Sequence, residues 1–274
     1  MKPHSLPTVW ACRLGRTAAC TAFLWGGVGF LLTNAGCARA PQGPAAGVRL
    51  AVTMRFSGPV NDTYHYYLLI RNAADASGQN GPIPVIVPPY LNGFATGQNA
   101  ATAGFTDFVE YSRNQRQPTA SGFGLYHLPD GINGDPNRNI YASRGEPEYA
   151  EATPGTAVLR FELDLSRLQP ASGEPDPNDG QLPQYLQVNI LATTTTPTDP
   201  IVPDPRKYVD AFGDQRLGSG SFNRYLTIDT TQNRLYESST VPGDQSYEPT
   251  GDTYPSDLDP GVDLVYWSIR VSGR

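Results

Sequence analysis

Apolar and polar residues alternate along several short segments of the chain, most clearly from Val48 to Phe56, where every second residue is apolar. A period of two places those apolar side chains on one face of a strand, whereas a helix would scatter them around its surface. The pattern therefore predicts a β-strand with one buried face.

Alternation or short apolar runs predict further strands at Tyr64–Ile70, Ile83–Val87, Phe105–Tyr111, Phe123–Leu128, Val158–Leu165, Tyr185–Ala192, Tyr225–Thr230, Leu235–Tyr236 and Val262–Val271. We expect a hairpin between the first two strands, because a Gly-Pro turn separates them, and another between the seventh and eighth of these further segments. The prolines around Ile83–Val87 indicate an edge strand or an extended loop. The segment Tyr208–Phe212 is expected to form one short turn of helix.

These segments predict an all-β fold, an antiparallel two-sheet β-sandwich with long Pro/Gly-rich loops. Antiparallel pairing is expected because buried parallel strands would be apolar throughout. The 28 glycines and 26 prolines suit such loops, of which Gln169–Pro183 is an example. Strong first and last strands favour a single domain over residues 48–274.

Charge divides the chain into two unlike parts. The first 36 residues carry Lys2, Arg13 and Arg16 and no acid, which leaves 26 acidic and 17 basic side chains in the rest, a net of −9. We call the part of the chain after residue 36 the body. Its negative charge makes it a poor partner for nucleic acid or for anionic lipid headgroups. Solubility is the simplest reason for the acidity.

Residues 1–36 have the organisation of a secretory signal peptide, with basic residues followed by the uncharged stretch 17–32, TAACTAFLWGGVGFLL. All three cysteines, Cys12, Cys20 and Cys37, lie at or before residue 37. The remaining 237 residues therefore contain neither a disulfide nor a thiol. The sequence predicts export.

The segment Leu31–Cys37, LLTNAGC, resembles the lipobox of bacterial lipoproteins. Ala35 and Gly36 fit the two small positions before the cysteine, whereas Asn34 departs from the usual aliphatic residue. The resemblance implies lipid attachment at Cys37, a membrane anchor in the cell envelope, and outer-membrane sorting in a two-membrane bacterium because Ala38 follows. Residues 37–47, small and proline-rich, would then be a flexible tether.

Two alternatives to lipidation remain. Ala38-Arg39-Ala40 matches the A-x-A pattern of ordinary signal-peptidase cleavage and would give a secreted protein, although Pro41 after the cut disfavours it. An uncleaved anchor is the other alternative.

Catalytic motifs are scarce in the body. His65 and His127 are the only histidines after the leader, and neither accompanies a G-x-S-x-G elbow. Two histidines are too few for a typical zinc site. Glycoside hydrolysis needs two carboxylates, and Glu110, Glu162 and Asp164 are candidates, but a solvated strand face explains the last two equally well.

Two acid-rich loops could bind calcium, a cation that takes six to eight oxygen ligands. The first contains Asp130, Asn133 and Asp135, and the second runs from Asp252 through Asp257 to Asp259. Neither run fits the EF-hand spacing. Asp and Asn are also common in turns, where their side chains bond to the local backbone, so turns are the alternative interpretation.

Aromatic residues form the last signal. Tyr64, Tyr66, Tyr67 and Trp267, together with Tyr90 and Tyr126, could stack on sugar rings. The alternative is that tyrosine is a good strand residue with a polar tip.

The sequence thus predicts an exported envelope lipoprotein whose β-sandwich binds a ligand or has a structural role without catalysis. Possible partners are a carbohydrate or another envelope protein, besides the membrane. The alternative is a secreted carbohydrate-active enzyme or carbohydrate-binding module on the same architecture.

Overall fold

The computed structural model describes residues 47–73, 75–77, 81–84, 95–96, 104–115, 117–128, 141–168, 181–195, 209–213, 225–240, 248–253 and 259–274. All of them belong to one compact unit, Ala45–Arg274. Its strands are β1 (Arg49–Phe56), β2 (His65–Ala73), β3 (Ile83–Pro84), β4 (Ala95–Thr96), β5 (Asp107–Tyr111), β6 (Phe123–His127), β7 (Ala142–Ser143), β8 (Tyr149–Ala152), β9 (Val158–Asp164), β10 (Tyr185–Thr193), β11 (Val209–Ala211), β12 (Leu226–Asp229), β13 (Arg234–Glu237) and β14 (Leu264–Ser272).

Helix is nearly absent from these residues. One 3-10 turn, Leu165–Arg167, follows β9, and Asp164 caps it by accepting a hydrogen bond from the backbone N–H of Ser166. In the described part of the chain, no helix has the length and apolar character that crossing a membrane requires.

The strands form two antiparallel sheets, which confirms the predicted fold class. The five-stranded sheet has the order β13-β14-β1-β9-β8. The seven-stranded sheet has the order β11-β10-β2-β5-β6-β7, and β12 also pairs with β10. The short strands β3 and β4 pair with each other in a ribbon of their own.

β1 lies at the centre of the five-stranded sheet, between β14 and β9. Its register runs from Arg49 opposite Ser272 to Phe56 opposite Leu264, so the first and last strands are neighbours. The side chains predicted to share one face of β1 are buried, and those between them are partly or fully exposed. The core between the sheets receives this face, because an apolar strand face is stable only when it is covered.

The strands β10, β2, β5 and β6 of the seven-stranded sheet are buried on both faces. In β2, Tyr66, Leu68 and Ile70 belong to the main core, whereas Tyr67 and Leu69 belong to a second apolar cluster on the other side. This explains why the sequence of β2 shows an apolar run rather than clean alternation. Across the main core, the rings of Phe123 and Phe161 approach to 5.9 Å between centroids and join β6 to β9.

Both predicted hairpins are wrong, although the strands themselves exist. β1 pairs with β14 and β9, while β2 pairs with β10 and β5 in the other sheet. Likewise β12 pairs with β10, and β13 pairs with β14. In each case the short connection passes from one sheet to the other. The two consecutive strands therefore face each other across the core, where their apolar faces are buried, and do not pair side by side in one sheet.

The predicted helical turn at Tyr208–Phe212 is also wrong. Val209–Ala211 is an edge strand that pairs with Leu191–Thr193 of β10. Three residues are too few for the pattern of apolar and polar positions to distinguish a strand from a helical turn.

Candidate functional site

Four acidic side chains gather at one end of the sandwich, and we call Asp210, Glu248, Asp252 and Asp263 the acidic cluster. Asp210 lies on β11, and its neighbours Val209 and Ala211 join the outer apolar cluster, so its own side chain points to the opposite face. Asp263 directly precedes β14 of the other sheet, between the buried Val262 and Leu264. The cluster therefore draws on both sheets and on the segment 248–253.

The carboxylates of the acidic cluster are close together and shielded from water. One ligand oxygen from each of Asp210, Asp252 and Asp263 lies within 4.8 Å of the other two, and all three residues are buried. Asp210 and Asp263 have no exposed surface at all, and Asp252 exposes 1%. Glu248 is partly exposed as a residue, but its Oε2 is buried.

Backbone N–H groups hold several of these oxygens. The N–H of Ala211 donates to Asp210 Oδ1 at 2.8 Å, and the N–H of Leu264 donates to Asp210 Oδ2. The N–H of Gly251 donates to Asp263 Oδ1 at 2.8 Å.

Glu248 is tied to the core by its Oε1, which accepts a hydrogen bond from the indole Nε1 of Trp267 at 2.7 Å. The same oxygen accepts a hydrogen bond from the N–H of Gly213 at 3.3 Å. Trp267 itself packs on Phe212, with ring centroids 4.7 Å apart. These contacts fix the carboxyl group of Glu248 against the buried start of β14.

The electrostatics of the acidic cluster reflect burial and mutual repulsion. Burial raises the pKa of Asp210 well above its ordinary value, and the neighbouring Asp252 and Glu248 carboxylates raise it further. Burial also raises the pKa of Glu248, and Asp252 and Asp263 add to this against the opposing hydrogen bonds from Gly213 and Trp267. The site thus concentrates negative charge where water cannot solvate it, and an oxygen-preferring cation is the ligand that such a donor set suits.

Both histidines of the body form hydrogen bonds with carboxylates. His65 Nδ1 donates to Glu110 Oε1 at 2.7 Å, and the hydroxyl of Tyr67 donates to the same oxygen at 3.2 Å. His127 Nδ1 donates to Asp107 Oδ1 at 2.8 Å. A histidine held by a carboxylate supplies two of the three members of a catalytic triad. Among the described residues, however, no serine or cysteine that could act as the nucleophile forms a hydrogen bond with either imidazole.

Asp107 is further fixed by the hydroxyl of Thr106, which donates to its Oδ2 at 2.8 Å. Burial raises the pKa of Asp107, while the hydrogen bonds from His127 and Thr106 oppose that shift. The His127–Asp107 pair lies in the interior of the sandwich at register positions opposite each other in β6 and β5. Its place in the core supports a structural role.

The predicted aromatic platform is not supported by the positions of its rings. Tyr66 and Tyr67 expose 1% of their surface, and Trp267 exposes none. Tyr64 is partly buried, and its hydroxyl donates to Asp259 Oδ2 at 2.9 Å. Stacking on a sugar requires an exposed ring face, so Tyr66, Tyr67 and Trp267 cannot form such a surface. Tyr66 and Trp267 lie in the main core between the sheets, and Tyr67 lies in the second apolar cluster on the other face of β2.

Of the calcium candidates in the two predicted loops, the structure describes only Asp252 and Asp259. Asp130, Asn133, Asp135 and Asp257 lie outside the described residues, as do Cys37 and residues 1–36 before it. Asp259 accepts hydrogen bonds from the Tyr64 hydroxyl and from the N–H of Gly261, the pattern of a turn-forming aspartate. Asp252, from the second predicted loop, belongs instead to the acidic cluster.

Of the glycosidase candidates, Glu110 lies on β5 of the seven-stranded sheet, apart from Glu162 and Asp164 on β9 of the five-stranded sheet. Glu110 is paired with His65, Glu162 contacts the guanidinium of Arg49 at 3.3 Å, and Asp164 caps the 3-10 turn. Glu162 and Asp164 share one partly exposed face of β9.

A groove of about 510 Å³ opens where β12 and β13 diverge into the two sheets. Its described lining includes Tyr185, Asp229, Arg234, Leu235 and Tyr236. Leu235 is 42% exposed, and the guanidinium of Arg234 lies 4.9 Å from the ring centroid of Tyr236. The groove combines two aromatic rings, aliphatic side chains and two charged groups, which is the usual make-up of a small-molecule site.

Sequence reasoning missed Asp210 and Asp263. The available signal was an acid inside an apolar run, in Val209-Asp210-Ala211-Phe212 and in Val262-Asp263-Leu264-Val265. An acid at such a position is rarely buried unless it is paired or binds a metal.

Comparison with protein-family models, with curated proteins and with solved structures finds no match for this chain. The class of protein that the fold defines is an all-β, two-sheet antiparallel sandwich.

Proposed function

We propose that this protein is an exported lipoprotein of the bacterial cell envelope whose β-sandwich binds a ligand and does not catalyse a reaction. The observation that carries the proposal is the distribution of cysteine: the body has none, and one cysteine, Cys37, stands at the end of a signal-like leader after Ala35 and Gly36. A cysteine at that position serves lipid attachment better than disulfide chemistry, for which the body has no partner.

The tether supports the proposal by its length and composition. Twelve residues lead from Cys37 to Arg49, the first residue of β1, and they include Pro41 and Pro44. An extended chain of that length spans at most about 40 Å. A lipid on Cys37 would therefore keep the sandwich within that distance of the membrane surface.

The groove supports binding rather than hydrolysis. Among its described lining residues, Asp229 is the only carboxylate, and its oxygens accept hydrogen bonds from Thr231 and Gln232. Glycoside hydrolysis requires two carboxyl groups about 5–10 Å apart across an opening. A mixed groove of this volume suits a small polar ligand with an apolar part.

The proposed anchor is tested by mass spectrometry of the mature N-terminus, with the full-length gene expressed in a bacterium. We expect a chain that begins at Cys37 and carries diacylglycerol, and we expect this protein in the detergent phase of a phase partition. Cys37→Ser should abolish both results. Cys20→Ser, a matched change within the leader, should leave both intact. A mature chain that begins at another residue and lacks lipid would refute the anchor.

The proposed absence of catalysis is tested by screening polysaccharides for hydrolysis. We expect no release of reducing sugars by the purified protein. Hydrolysis that is lost in Glu110→Gln or Glu162→Gln, but retained in Asp259→Asn, would support the carbohydrate-active enzyme instead.

A further inference from the structure

The acidic cluster contains more buried negative charge than its hydrogen bonds satisfy. Asp263 is fully buried, and its Oδ2 has no hydrogen-bond partner among the described residues. Glu248 Oε2 is likewise buried and without a partner there. Almost all buried polar atoms in folded proteins have a partner, so each such oxygen requires an explanation.

Ion pairing does not supply that explanation for these two residues. In the part of the chain that the structure describes, neither Asp263 nor Glu248 forms an ion pair with an arginine or a lysine. Buried charges in proteins are paired or coordinate metals, because the loss of hydration costs several kcal/mol per ion. The available partner for the open oxygens is therefore a bound cation or a proton.

The spacing of the oxygens fits calcium. Calcium binds oxygen at about 2.3–2.6 Å, so ligands on opposite sides of one ion lie about 4.8 Å apart. The ligand oxygens of Asp210, Asp252 and Asp263 lie within that distance of one another. Magnesium requires near-ideal octahedral geometry and usually keeps several waters, which suits buried side chains such as Asp210 and Asp263 poorly. The donors are all carboxylates, which excludes the nitrogen and sulfur ligands that zinc prefers.

We propose that Asp210, Asp252 and Asp263, with Glu248 beside them, form a calcium site that links the two sheets of the sandwich. The ion would connect β11 at the edge of the seven-stranded sheet to the start of β14 in the five-stranded sheet. Its role would be structural, since binding that occurs only in the folded state shifts the folding equilibrium. An affinity on the order of 10⁻⁴–10⁻³ M, typical of extracellular calcium modules, would suffice for an exported protein.

The site is tested on the full-length protein, purified in detergent and stripped with a chelator, by titration with calcium chloride. Free calcium at 100 times the Kd should raise the Tm by roughly 5–10 °C. Terbium, which replaces calcium and luminesces when a nearby indole is excited, should bind at the same place. Trp267 is the only tryptophan after the leader, and its Nε1 lies 2.7 Å from Glu248 Oε1.

Two matched variants locate the ion. Asp263→Asn keeps the acceptor for the N–H of Gly251 but removes a charged ligand, and it should weaken calcium binding at least tenfold and abolish the shift in Tm. Asp259→Asn makes the same change four residues earlier, in the turn that holds Tyr64, and should retain the full calcium shift. If Asp263→Asn does not fold, Glu248→Gln serves in its place.

Four outcomes would overturn the proposal. No change in Tm and no terbium luminescence in the unaltered protein would exclude the site, as would an equal shift with magnesium chloride. Loss of the calcium effect in Asp259→Asn alone would place the ion in the turn. A higher Tm for Asp263→Asn without any calcium binding would mean that protons, rather than a cation, neutralise the cluster. None of these results bears on the lipid at Cys37, so the two proposals fail separately.

Discussion

Two histidine–carboxylate pairs are buried in this sandwich. Asp107 has no exposed surface, and its two oxygens accept hydrogen bonds from His127 and Thr106. His65 and Glu110 form a similar pair on the other face of the same sheet. Such pairs add little net stability over an apolar core, but the loss of one member leaves the other buried without compensation.

Asp107→Ala should therefore lower the free energy of unfolding by about 3–5 kcal/mol, because His127 loses its partner in the core. Urea denaturation monitored by tryptophan fluorescence measures the change. Glu151→Ala is the control, since the Glu151–Arg160 pair at 3.6 Å is exposed on β8 and β9. It should cost less than about 1 kcal/mol. If both variants lost the same free energy of unfolding, burial would not explain the cost of removing Asp107.

Single elements of the fold follow the alternation of the sequence closely. β1 buries Leu50, Val52, Met54 and Phe56 and leaves the side chains between them partly or fully exposed. Leu50 lies opposite Leu163 on one side and Val271 on the other, so three strands contribute to the same patch of core. The face of the strand, and not its neighbours in sequence, determines what each residue contacts.

Leu50→Ala should destabilise the protein by about 2–5 kcal/mol, since a fully buried leucine leaves a cavity that the surrounding strands fill only in part. Thr53→Ala, on the other face of β1, should cost less than about 1 kcal/mol. Chemical denaturation of both variants measures the contrast. A cost for Thr53→Ala as large as that for Leu50→Ala would mean that the strand is buried on both faces.

At the scale of the whole molecule, four phenolic rings are buried in the seven-stranded sheet. Burial raises the pKa of Tyr66, Tyr67 and Tyr126 well above the ordinary value, and it raises the pKa of Tyr111 to about 12 with help from the hydrogen bond to Asp62. These tyrosines lie on β2, β5 and β6, next to one another in the seven-stranded sheet. The alkaline stability of the fold depends on them as a group.

Stability should fall steeply as the pH rises above about 10, where tyrosines of the unfolded chain ionise. Above that pH the unfolded state binds fewer protons than the folded state, so a rise in pH favours unfolding until the folded pKa values are reached. Below pH 10 this contribution is fully present. The Tm between pH 8 and pH 12 and the absorbance of tyrosinate measure the effect. Ionisation of all tyrosines near pH 10 without unfolding would contradict it.

The sequence by itself determined the fold class and the longer strands, but it did not predict β4, β7 or β8, and it predicted a helical turn where β11 lies. The period of two in β1, β9, β10 and β14 comes from local geometry, since a strand with one buried face must alternate. It also indicated that Asp252 belongs to an acid-rich region that could bind a cation. These properties depend only on residues that are close together in the chain, so they can be recognised from the sequence.

Only the tertiary structure decided which strands pair and which acids meet. β1 and β2 are consecutive in the chain but lie in different sheets, and the chain passes between the sheets where the sequence predicts hairpins. Asp210 and Asp263 are 53 positions apart and meet only because the start of β14 lies beside β11, which belongs to the other sheet. Contacts of this kind depend on how whole sheets pack, and no local pattern encodes them.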